Sequence, residues 1–150
     1  MRDPYTETEF DAVFNLFTSF GYFETMDDNL KVLQAVHQVL KDQGSFVLDY
    51  LNPGSLGHVP SDINLKIIDG VEYQTRKSLT KTKILKDILI KEDGEELSFQ
   101  ESVQLIDIEL FRGLFEKAGF EINEVFGDYG LEPFHPESSP RIIIVAQKQA

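Results

Sequence analysis

The chain has 150 residues, 41% hydrophobic and 27% charged, enough for a domain with a core of its own. Its 26 acidic residues outnumber 14 basic ones, and the net charge of −12 sets up a field that repels phosphate backbones and argues against a nucleic-acid partner. There is no cysteine, which excludes disulfides and thiolate metal sites and fits a cytoplasmic protein; no apolar run approaches the roughly 20 residues of a membrane span, and the opening MRDPYTETEF lacks the apolar core of a secretory leader.

The first predicted element is Phe10–Phe17, a compact apolar run read as a strand buried on both faces, as in a parallel sheet. TMDDNLKVLQAVHQVLKDQG follows. Asp27 or Asp28 caps a helix there, Leu30, Leu33, Val36, Val39 and Leu40 form its apolar stripe, and Gly44 stands where a left-handed C-terminal cap belongs. Ser45–Leu51 is a second apolar strand, stopped by Asn52-Pro53-Gly54. Strand, helix and strand with tight joints make a βαβ unit with a right-handed crossover.

From Ile63 the texture changes. Asp69-Gly70 and Asp93-Gly94 each divide two alternating runs, the strongest short-range hairpin signal, so Ile63–Ile106 is predicted to be an antiparallel meander with one polar face. Tyr73, Leu79, Leu97 and Phe99 are candidates to line a concave face of it, or to cover the sheet. The densest basic stretch, Arg76–Lys86, alternates with polar and apolar residues and reads as a solvated strand face. Asp107 caps a second helix with a stripe of Leu110, Phe111, Leu114, Phe115 and Ala118, ended by Gly119. FEINEVF and Ile142–Ala146 close the chain as two strands of a hairpin.

The chemistry-bearing patterns are mostly absent. Ten glycines include no G-x-G pair and no Walker loop. His37, His58 and His135 lie far apart and lack the flanking ligands of a metal site. Ser19 and Ser45 have no nucleophile-elbow pattern, and no residue is assigned an acid–base or other catalytic role.

The order of these segments resembles a known family. Phe10, Asp11 and Val13 match the F-D-x-V start of the fourth strand of a class I S-adenosylmethionine-dependent methyltransferase; Leu33, Val39, Leu40, Lys41 and Gly44 match its next helix and strand junction; SPRIIIVAQK is similar to the last strand of its closing hairpin. The meander is similar to the β insertion of a small-molecule branch. The resemblance implies an α/β fold, a partial Rossmann-like methyltransferase sheet corresponding to the C-terminal half of the family fold, spanning 1–57 and 107–150, with the antiparallel β-meander inserted at 58–106. It implies S-adenosylmethionine as cofactor, beside Asn15, Leu16, Phe17, Thr18 and Ser19, and a small-molecule substrate beside Phe20, Tyr22, Tyr50, Asn52 and Tyr129. Tyr50, Asn52 and Tyr129 equally suit loop anchors.

Only MRDPYTETE precedes the F-D-x-V strand, whereas the family's glycine-rich cofactor loop and its ribose-binding acid come before that strand. The expectation is therefore a chain that lacks the N-terminal cofactor-binding half and binds the cofactor weakly or not at all. The sheet order becomes fourth, fifth, seventh, sixth, which makes 10–17 an edge. FDAVFNLF carries no proline or lysine to blunt that edge, so association through it is expected, as a homodimer or with an N-terminal half. The alternative is a non-catalytic, self-associating module derived from the same fold.

Overall fold

The computed structural model describes residues 9–57 and 63–149; His58 lies outside them. The chain divides into two compact units: residues up to Leu56 together with those from Ile106 onward, and Gly57–Leu105.

The first unit holds β1 (Phe10–Asn15), α1 (Met26–Val39), β2 (Leu40–Leu51), a 3₁₀ turn (Pro53–Ser55), α2 (Ile108–Lys117), β7 (Phe120–Phe126) and β8 (Arg141–Lys148). Its sheet runs in the order β1-β2-β8-β7, the order implied by the resemblance. β1 and β2 are parallel, with Val13 beside Phe46, as a βαβ unit requires. β8 enters antiparallel between β2 and β7. The carboxyl ends of β1, β2 and β7 and the start of β8 therefore meet at one end of the sheet, and the loops 16–25, 52–56 and 127–140 all leave from it.

One face of this sheet is the core. Phe46, Leu48 and Tyr50 of β2 and Ile142, Ile144 and Ala146 of β8 are buried on it, with Val32, Leu33 and Val36 of α1 and Phe111, Leu114 and Phe115 of α2. Phe46 stacks on Phe115 at 5.7 Å between ring centroids, and Tyr50 meets Phe111 edge-on at 5.1 Å.

The local expectations need four corrections. β1 is not buried on both faces: as the margin of the sheet it leaves Phe10 and Phe14 exposed, and it stops at Asn15 because the chain turns at Phe17. The cap of α1 is Thr25 rather than an aspartate; its Oγ1 accepts from the Asp28 amide at 3.1 Å and donates to the Asp28 carboxylate at 2.8 Å, a reciprocal cap. Gly44 is no cap, since α1 ends at Val39 with Leu40 as its cap and the left-handed residue is Gln43; Gly44 is small because a Cβ there would press on the Lys41 carbonyl. Leu110 points to solvent, and Ile108 takes its place in the stripe of α2, whose cap is Asp107 as expected.

The second unit is the predicted meander: β3 (Asn64–Ile68), β4 (Val71–Leu79), β5 (Lys83–Glu92) and β6 (Glu95–Gln104), paired in sequence and antiparallel throughout. Asp69-Gly70 and Asp93-Gly94 both have positive φ at each residue, the mirror-image turn that suits the strand twist. Tyr73, Ile90 and Leu97 align across one face, while Gln74, Leu89 and Ser98, and Arg76, Asp87 and Gln100, align across the other, so one face is predominantly apolar and the other predominantly polar, as expected.

Candidate functional site

Open α/β sheets bind ligands beyond the carboxyl ends of their parallel strands. Here that end is built around Asp49, the only charged side chain in the buried set of the described residues, at 1% exposure. A buried carboxylate is costly unless paired and hydrogen-bonded, and this one is both. Oδ1 accepts from Arg141 Nε at 2.8 Å and lies 2.7 Å from Arg141 Nη2. Oδ2 accepts from the Phe17 amide at 2.8 Å and from the Tyr129 hydroxyl at 2.9 Å. The Asp49 carbonyl accepts from the Thr18 amide at 3.0 Å.

Thr18 completes the node. Its Oγ1 accepts from the Leu51 amide and from Arg141 Nη2, both at 3.0 Å. The Arg141 guanidinium also lies 5.8 Å from the Tyr129 ring centroid, within cation–π range. Three segments of the chain, at 17–18, 129 and 141, are thus gathered around one carboxylate of β2.

The tie holds an unfavourable backbone. Phe17 and Thr18 sit consecutively in the left-handed region, at φ 58° and 59°, and neither is glycine. Such residues cost about 1–3 kcal/mol each and persist only where surrounding bonds over-determine them. The result is that the Phe17 ring is pushed outward, 75% exposed.

The other residues expected in the site divide by burial. Asn15, at the end of β1, and Phe20, whose ring lies 5.8 Å from that of Phe111, are buried. Tyr50 is fully buried, and burial pushes its phenol far above the ordinary value. Asn52 is a loop anchor: its amide donates to the Pro136 and Ser139 carbonyls at 2.9 and 2.7 Å and its Oδ1 accepts from the Gly54 amide at 3.1 Å. Tyr50 and Asn52 therefore present no surface to a ligand here; packing and hydrogen bonding have claimed them. Leu16, Phe17, Ser19, Tyr22 and Tyr129 are exposed, Tyr22 at 51% and Tyr129 at 63%, and Thr18 is half-buried. Ser19 Oγ donates to the Leu16 carbonyl at 2.6 Å.

Asp49 and Arg141 carry no role in the sequence reading, although both stand in segments it singles out. The signal was there: an acid inside the interior strand FVLDYL needs a buried partner, and an arginine at the head of IIIVA is positioned to be one. Only the antiparallel register, Leu51 opposite Arg141, brings them together.

Chemically this end can align and shield, with both Asp49 oxygens already engaged in hydrogen bonds. Among the described residues no group of three histidines, aspartates or glutamates is arranged to hold a metal ion. On the meander, a groove of about 430 Å³ is lined in part by Gln74, Arg76, Asp87, Phe99 and Gln100. Gln100 Nε2 donates to Asp87 at 2.7 Å across it. Of the four residues expected on a concave face, Phe99 alone lines this groove.

No family description and no curated protein matches the sequence. Solved structures do. A methyltransferase from Clostridium acetobutylicum that depends on S-adenosylmethionine superposes over 99% of this chain with a TM-score of 0.83 at 15% identity. The fold is that of an S-adenosylmethionine-dependent methyltransferase. CcbJ, a methyltransferase from Streptomyces caelestis, matches 96% of the chain at TM-score 0.76 and 17% identity. KedS8, a sugar N-methyltransferase from a Streptoalloteichus species, matches 99% at 0.76 and 19% identity. This chain spans 62%, 59% and 60% of the length of those three methyltransferases.

The carboxyl end fits S-adenosylmethionine on one side only. Exposed rings at Phe17, Tyr22 and Tyr129 suit a cationic sulfonium, whereas the buried Asp49 has no oxygen left for ribose hydroxyls.

Proposed function

We propose that this chain forms the acceptor side of an S-adenosylmethionine-dependent methyltransferase for a small molecule. The observation that carries the reading is the sheet order β1-β2-β8-β7, with a single reversed strand and its loops gathered at the Asp49 end. When bound, S-adenosylmethionine supplies an electrophilic methyl on a sulfonium, open to direct displacement. Phe17, Ser19, Tyr22 and Tyr129 would together wall its methyl-bearing side, where the acceptor enters. Transfer of this kind depends chiefly on alignment, which suits a site with no assigned acid or base.

The reading includes a weak grip on the cofactor. The 150 residues contain no G-x-G loop of the kind that cradles the methionine end. Support for a small acceptor comes from the neighbours of like fold, which include an amino pentose methyltransferase and a sugar N-methyltransferase. Calorimetric titration of the chain with S-adenosylmethionine tests this: the expected result is no saturation in the submillimolar range. Tight binding would mean that the cofactor is held by residues other than those assigned.

One observation favours a second reading, a self-associating module. β1 is an open edge with Phe14 62% exposed, and its one charge, Asp11, is already paired with Lys41 at 2.7 Å. Two copies, or this chain and a further strand-bearing segment, would pair through Phe10–Asn15. An inert dimer that stays unchanged on adding S-adenosylmethionine would favour the module over the enzyme.

A further inference from the structure

Every bond made by the Asp49 side chain leads to a loop or to Arg141, and none to the core helices. The Phe17 amide and the Tyr129 hydroxyl meet on the same oxygen, at 2.8 and 2.9 Å. A device that served only stability would bury the rings it holds; this one holds two backbone residues in a costly conformation and leaves both rings in solvent.

We infer that Asp49 is a positioning residue of the transfer site: it fastens the β1 loop and the 127–140 loop to one carboxylate, so that the Phe17 and Tyr129 rings face the ligand as a single wall. Arg141 aims and neutralises that carboxylate and covers one side of the Tyr129 ring, leaving the rest of that ring to the ligand. Thr18 locks the guanidinium in turn. The inference deepens the methyltransferase reading and rests on it for the identity of the ligand, but the fastening itself does not.

The test is amide hydrogen exchange and chemical-shift mapping by NMR on the 150-residue chain, with S-adenosylmethionine added to millimolar concentration as the probe. In the natural sequence the Phe17 amide is expected to exchange slowly. Asp49→Asn keeps the shape but removes the charge, and should speed Phe17 exchange by about tenfold, the loss of one charge-assisted bond, while the amides of Ile142–Ile144 are unchanged. Tyr129→Phe removes a single hydroxyl, leaves the fold intact and serves if the first variant unfolds. It should shrink the probe-induced shift at Phe17 without altering the β8 amides, a coupling that a merely structural tyrosine would not show. The Tyr129 phenol, pushed up by local desolvation of its hydroxyl and by the bond to Asp49, should titrate lower in Asp49→Asn.

Fast exchange at Phe17 in the natural sequence overturns the fastening. A probe shift at Phe17 that is indifferent to Tyr129→Phe overturns the single wall. Slow exchange with no probe shift at either ring overturns the methyltransferase reading of the site and leaves the fastening standing.

Discussion

Gly54 shows how closely the loops around the site are fitted. A Cβ at this position would run into the carbonyl oxygen of Pro136, and one at Gly127 into Ser139 Oγ. The Gly54 clash is against backbone, which cannot swing aside. Gly54→Ala is therefore expected to lower stability by about 1–3 kcal/mol, read from the urea midpoint, and to loosen the Asn52 bonds to the same loop. His37 supplies a pH dependence. Burial first, then the charge of Lys148, hold its imidazole below the ordinary histidine value of 6.5. The unfolded chain accepts a proton more readily than the folded one, so the contribution of His37 is complete above 6.5 and is lost as pH falls through the folded value. His37→Gln should flatten the loss of stability as pH falls below 6.5. An unchanged slope would place the acid sensitivity elsewhere.

At the scale of elements, α2 is the buttress of the core. Phe115 is fully buried, stacked on Phe46 and tilted against Phe120 at 5.7 Å each. Phe115→Ala should cost about 3–5 kcal/mol in denaturant unfolding, the usual loss for a core aromatic. β1 is the opposite case, an element with one neighbour. If its open edge drives association, sedimentation should show concentration-dependent dimers, and Phe14→Lys, which places a charge on the edge, should return the chain to monomer. These elements also show what a sequence can and cannot say. The two Asp-Gly turns and the Asp107 cap are local: the residues that need the special backbone or the capping oxygen are adjacent in the chain, so they were legible. The Thr25 cap was obscured by two aspartates that compete for the same role, and Gly44 by a coincidence of position. The burial of β1 was misjudged because apolar content does not say whether a strand has one neighbour or two.

For the molecule as a whole, the sheet order was implied by the family resemblance, whereas the Asp49 node was not. Asp49, Thr18, Tyr129 and Arg141 are brought together by two strand registers and a loop, over separations of up to 123 residues. No pattern of neighbours encodes that. Tyr50 and Asn52 illustrate the same limit: a polar residue at the end of a strand serves ligand or fold according to what distant segments offer; Phe111 packs on Tyr50, and the 127–140 loop claims Asn52. Conversely, among the described residues no helix is long and apolar enough to cross a membrane. The most direct measurement of the central claim is a map of amide shifts across the 150-residue chain as S-adenosylmethionine is raised into the millimolar range. The account predicts shifts at 15–22 and around Tyr129, with saturation no tighter than millimolar. Shifts confined to the meander, or none at all, would contradict it.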